Sequence, residues 1–205
     1  VFTNETHDPA QGRMVDGIHL RTLWGELAYQ LGGKAAYEII RKNDEDRTAP
    51  KGIFRKVLEQ CKPALILIDE LADYCVSASS QKVEASNLSD QTVSFMQELT
   101  QAVAAVNNIV AVITLPASPE EVGNTVQAQS ILKSLEGRVG RIGADTQPVA
   151  DEEIYEVIRR RLFEEVGELE VIEAVSAKYA ELYQQHWTEL PQNANTAEYK
   201  KKIIK

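Results

Sequence analysis

The chain has 205 residues, 43% hydrophobic and 26% charged, with 22 basic against 31 acidic side chains and a net charge of -9. That is the mix of a folded globular chain with room for one sizeable domain and a small appendage. The acidic balance excludes a nucleic-acid grip built on this chain alone, because phosphate binding rests on clustered Lys and Arg; a DNA-directed parent protein stays open.

No apolar run reaches the roughly 20 residues a bilayer requires, and nothing at the start resembles a signal peptide. Cys61 and Cys75 lack CxxC spacing, which points to buried, reduced thiols and a cytoplasmic setting. His7, His19 and His186 match no zinc-ligand spacing. The chain opens at Val1, without Met and directly in strand-like sequence, and reads as a piece of a longer protein.

Residues 1–5 suit a short strand, followed by a turn-rich stretch through Asp8-Pro9 and Gly12. Leu20, Leu23, Trp24, Leu27, Ala28 and Leu31 then fall on one apolar helix face. Gly32-Gly33 stops that helix, a second covers 35–41, and 43–50 is a charged connector ending in proline. A short helix with Ile53, Val57 and Leu58 leads to Pro63. The unbroken apolar run 64–68 suits a strand buried on both faces of a parallel sheet. The Ser-rich stretch 77–89 reads as a mobile loop, and a helix spans about 90–106. Asn107-Asn108 stops it before a second buried strand, 109–113.

A turn at 116–121 opens a helix to about Glu136, and Gly137, Gly140 and Gly143 punctuate a basic loop. Gln147-Pro148-Val149 suits a last strand. A charged helix follows over 151–165, with Ile154, Ile158, Leu162 and Phe163 inside, then a helical stretch over 168–190 and a polar link to a basic tail. Helices alternating with buried strands mean an α/β sheet with right-handed crossovers over residues 1–150, and 151–205 reads as a helical lid or linker.

Ligands bind at the carboxyl ends of strands in open parallel sheets. Asp69 and Glu70 stand where the first buried strand ends, the position of a Walker B pair. An aspartate there suits Mg²⁺, a hard cation that takes oxygen ligands, and a glutamate beside it suits the orientation of water attacking the γ-phosphate of ATP. Two solvated acids opening a helix would read the same way in isolation. The next strand ends in Thr114, which fits a sensor residue touching water or γ-phosphate, or else a hydroxyl satisfying backbone at a strand end. One helix later stand Arg138 and Arg141, placed for an arginine finger supplied across a subunit interface, and equally for a helix C-terminus. Their order and spacing together carry the reading.

The phosphate cradle of such a site is a G-x-x-x-x-G-K-[ST] loop after a strand. The one Gly-Lys pair, Gly33-Lys34, follows a helix, has Ala28 five residues before Gly33, and is followed by Ala35. It is a helix stop. If the topology is that of AAA+ proteins, the P-loop and its strand are expected upstream of Val1, placed in the sheet between 109–113 and the segment near Val149, and without that strand the sheet exposes unpaired edges.

Four blocks resemble one family: Thr22-Leu23-Trp24-Gly25-Glu26-Leu27-Ala28, Ile66-Leu67-Ile68-Asp69-Glu70-Leu71, Thr114-Leu115-Pro116-Ala117-Ser118 and Gly137-Arg138-Val139-Gly140-Arg141. They are similar to a group of large prokaryotic AAA+ ATPases catalogued as a domain of unknown function, four-nine-nine. The resemblance covers roughly residues 1–165 and implies a three-layer P-loop NTPase core, here lacking the P-loop strand, with a helical C-terminal lid or linker. It implies Mg²⁺ and ATP as cofactors of the full-length parent, Asp69 and Glu70 as the Walker B pair with Asp69 toward the metal, Thr114 as the sensor and Arg138 or Arg141 as the finger. It also implies a homo-oligomer and a setting beside DNA methyltransferases in phage-defence or restriction loci, with an indirect link to DNA. The isolated chain is expected to be inactive. Alternatives are a non-hydrolysing ATPase-like scaffold or interaction module, and a metal-dependent phosphohydrolase using Asp69, Glu70 and Asp73, which lacks the further carboxylates a two-metal site requires.

Overall fold

The computed structural model describes residues 1–3, 7–116, 121, 123, 125–140, 153–165 and 167–189. The chain divides into two compact units, Val1–Asp145 and Thr146–Lys205.

In the first unit, strands β1 (Arg13–Val15) and β2 (Ile18–Leu20) form an antiparallel hairpin. Its turn is Asp16-Gly17, both residues at positive φ, which suits a tight two-residue connection. Helix α1 (Leu23–Glu45) follows, capped by Thr22, whose hydroxyl accepts from the Gly25 amide at 3.1 Å. The expected stop at Gly32-Gly33 is a break inside α1: Gly33 sits at φ 60°, ψ -150°, a region closed to side chains. The helix after the break runs on to Glu45, so the connector is shorter than 43–50.

Helix α2 (Phe54–Cys61) leads into strand β3 (Ala64–Ile68). After α3 (Leu71–Ala78), the stretch expected as a loop is a hairpin of β4 (Lys82–Val83) and β5 (Ser86–Asn87). Asn87 ends the hairpin and caps helix α4 (Leu88–Ala105), accepting from the Asp90 amide at 2.9 Å, so one polar residue does both jobs. Strand β6 (Ile109–Ile113) and helix α5 (Val126–Val139), capped by Thr125, follow in this unit.

β3 and β6 pair in parallel, from Ala64 opposite Ile109 to Ile68 opposite Ile113. On the other edge of β3, Phe2 forms a parallel bridge with Ile68. The local order is thus Phe2, β3, β6. The strand expected over 1–5 is this single bridge among the described residues.

The helices pack on one face of the pair. Trp24 of α1, Phe54 of α2 and Phe95 of α4 form an aromatic cluster, with Phe54 edge-on to Phe95 at 4.9 Å between ring centroids. All three are fully buried, together with Ile66 and Ile68 of β3. The second face corrects the expectation of strands buried on both sides: Leu65, Val110 and Val112 are 60%, 56% and 48% exposed. Side chains alternate across a strand, and among the described residues only one face has a helical cover. Cys75 is buried, Cys61 is half-buried, and both are free thiols.

In the second unit, helix α6 (Ile154–Leu162) and helix α7 (Leu169–Gln185) precede a 3-10 turn, Trp187–Glu189. Ile154, Ile158, Leu162 and Phe163, expected inside, are exposed. An amphipathic stripe is covered only where a neighbour lies against it, and spacing alone does not supply one. No described helix is long and apolar enough to cross a membrane.

Candidate functional site

The end of β3 and the end of β6 bring Asp69, Glu70 and Thr114 together. The Thr114 hydroxyl donates to Asp69 Oδ1. The Glu70 amide points at the same place, 3.0 Å from Asp69 Oδ1 and 3.2 Å from Thr114 Oγ1. The pairing is a consequence of register: Ile68 lies opposite Ile113, so the next residue on each strand emerges at the same level. The Thr114 amide continues the ladder, donating to the Ile68 carbonyl at 3.0 Å. On the opposite edge, the Asp69 amide donates to the Phe2 carbonyl at 2.9 Å.

Glu70 has φ 56° and ψ 34°, the left-handed region, at the point where the strand turns into α3. A side chain there costs on the order of 1–2 kcal/mol, which the surrounding bonds must offset. The turn reverses the chain sharply and leaves both acids exposed at the strand end. Sequence reasoning found the acids but not this backbone state, because glutamate is not a residue that ordinarily signals a positive φ.

Asp69 offers oxygen donors on a rigid strand end, and its Oδ2 accepts no hydrogen bond among the described residues. Among the described residues no group of three His, Cys, Asp or Glu is arranged to hold a metal ion. A cation here would take one or two protein carboxylates and draw its other ligands from substrate and water, which suits magnesium better than zinc.

Arg138 lies in the last turn of α5 and is exposed. Its guanidinium donates to Gln97 Oε1 on α4, not to the acids at the strand end. Arg141 and the segment Gln147-Pro148-Val149 lie outside the described residues.

Two buried polar clusters were not singled out by sequence. Asp44, fully buried, accepts from the Thr22 hydroxyl at 2.5 Å, the Tyr37 hydroxyl at 3.0 Å and the Arg21 amide at 3.1 Å. Burial raises its carboxyl above the usual range in spite of these donors. Glu26, 1% exposed, is penalised by burial, but the nearby His7 and the hydrogen bonds of Arg13 and Gln30 outweigh it and hold its carboxyl down at about 2. The available signal was a lone acid inside the apolar stripe of α1.

Residues 3–145 match the family model described as DUF499 N-terminal domain. The chain belongs to that family. Nothing among curated proteins or solved structures matches it. The Asp69–Thr114 site therefore lies within the DUF499 N-terminal domain, a domain of unknown function, and its chemistry has to be argued from the residues themselves.

Proposed function

We propose that the DUF499 N-terminal domain is the Walker B half of an AAA+-type ATPase core. The observation that carries this reading is the contact between Thr114 and Asp69 across adjoining parallel strands, with Glu70 next in the chain. An acid pair at one strand end and a hydroxyl at the neighbouring one converge on the place where an open parallel sheet takes its ligand. In this reading Asp69 holds Mg²⁺, Glu70 orients the attacking water, Thr114 fixes the Asp69 carboxylate and senses the γ-phosphate, and Arg138 or Arg141 acts on a neighbouring subunit. Mg²⁺ with ATP supplies the labile phosphoanhydride and neutralises its charge. The protein's part is positioning.

The open edge of β6 supports the same reading. Among the described residues no strand pairs with it, and the adjoining face carries exposed Leu65, Val110 and Val112. A parallel pair is ordinarily covered on both faces. A further strand bearing a P-loop, and its helix, would pair with that edge and cover that face, so the site would be completed by a segment of the longer parent. Phage defence or DNA restriction as the parent's setting rests on family resemblance.

The test is made in the full-length parent. Glu70→Gln is expected to keep ATP binding and reduce turnover by at least about 100-fold; unchanged hydrolysis would remove the catalytic assignment and favour a non-hydrolysing scaffold. Arg138→Ala and Arg141→Ala are expected to slow turnover only in the assembled state. The 205-residue chain should bind Mg-ATP weakly or not at all, and micromolar binding by calorimetry would overturn the need for a separate P-loop.

A further inference from the structure

Glu26 is an ion in a place where an apolar residue would pack at less cost. Arg13 reaches it with two nitrogens, at 2.5 and 2.9 Å, and Gln30 Nε2 donates at 2.7 Å. His7 Nδ1 lies 3.4 Å away, and both its ring nitrogens are buried without a partner of good hydrogen-bond geometry. The carboxylate thus meets His7 directly, and Gln30, which donates to it, accepts from the Val1 nitrogen at 2.8 Å through its Oε1.

Between Val1 and His7 in the chain stands Phe2, fully buried. Its amide donates to the Leu67 carbonyl at 2.8 Å and its carbonyl accepts the Asp69 amide at 2.9 Å. Its ring lies edge-on to Tyr74 of α3 at 5.2 Å and tilted to His7 at 5.8 Å. The Tyr74 amide in turn donates to the Glu70 carbonyl at 3.1 Å. The Asp69 amide is therefore held by Phe2, whose ring packs against His7 and Tyr74.

We propose that Glu26 is a positioning residue for the Asp69–Glu70 turn, acting through His7 and Phe2. The left-handed backbone at Glu70 persists only where its surroundings over-determine it: its amide faces Asp69 Oδ1 and Thr114 Oγ1, and Phe2 holds the Asp69 amide next to it. Loosening His7 and Phe2 frees the Asp69 amide first, while the aromatic cluster of Trp24, Phe54 and Phe95 stays packed. A consequence for magnesium binding or turnover rests on the Walker B reading; the structural coupling does not.

The experiment is amide hydrogen exchange followed by NMR on the 205-residue chain. Glu26→Gln removes the charge and keeps the shape, and His7→Phe keeps a ring against Phe2 and Tyr74 while losing the polar contact. Both are expected to speed exchange of the Asp69 amide at least about tenfold more than that of Leu99 in α4. His7→Gln, which keeps a donor toward Glu26, should recover part of that protection. Equal acceleration at Asp69 and Leu99, or none at Asp69, overturns the proposal. Selective acceleration in a chain whose parent hydrolyses no ATP upholds the positioning and rejects the ATPase reading. If the parent does turn over, Glu26→Gln should lower kcat more than it changes KM for ATP.

Discussion

At Glu70, conformation and chemistry pull apart. The left-handed backbone disfavours any side chain, so Glu70→Gly should raise the stability of the chain by roughly 0.5–1 kcal/mol after glycine's own entropy cost, while removing the carboxylate. Glu70→Ala should bring no such gain. Chemical denaturation checks both, and a destabilised glycine variant would mean that the turn is not strained. Thr114→Val should cost about 1 kcal/mol, since it removes a donor from Asp69 and an acceptor from the Glu70 amide. Glu26 supplies a pH signature. Its folded carboxyl lies near 2 against an ordinary 4.5, so its contribution is fully present above about pH 4.5 and lost as pH falls through about 2. The stability gap between wild type and Glu26→Gln should therefore close as pH falls through that window. Buried Asp44 has the opposite sign: its carboxyl is raised, so what it contributes is present at low pH and lost as pH rises. A denaturation series in both Glu26→Gln and Asp44→Asn separates the two.

Helix α1 shows how one element becomes two. Gly33 takes a backbone state that glycine alone tolerates, so Gly33→Ala should destabilise the chain by about 1–3 kcal/mol in denaturation. The break lets the second half of α1 return Asp44 to the cap residue Thr22. A Cβ on Gly25 would collide with the Asp44 carboxylate, which explains a helix-weakening glycine in a helical stripe. The stop was readable from Gly32-Gly33, and so were both strand runs and the polar strand ends. Val15-Asp16-Gly17-Ile18 is a strong hairpin signal that the helical reading passed over, because its strands are only three residues each. The hairpin at 82–87 was hidden by Ser-rich composition, which suggests loop while Asn87 is setting a cap.

For the molecule as a whole, the face of β3 and β6 that no described helix covers is a liability. An apolar face next to an unpaired strand edge invites pairing between copies, so the 205-residue chain should self-associate with rising concentration. Val110→Lys should reduce that association without unfolding the chain, as read by sedimentation; a chain that stays monomeric at high concentration would show that the face needs no cover. By itself the sequence determined the alternation of helices and strands, the positions of Asp69, Glu70 and Thr114 at strand ends, and the family. The first two follow from periodicity and local residue chemistry, which act over a few neighbours, and the family follows from the resemblance of whole sequence blocks. Only the tertiary structure decided that Thr114 touches Asp69, that Glu70 is left-handed, that Phe2 borders the acid turn and that Leu65, Val110 and Val112 on one sheet face are exposed. Each of these depends on strand register and on which elements meet, and no local pattern records contacts between residues as far apart as Phe2 and Asp69, or Asp69 and Thr114.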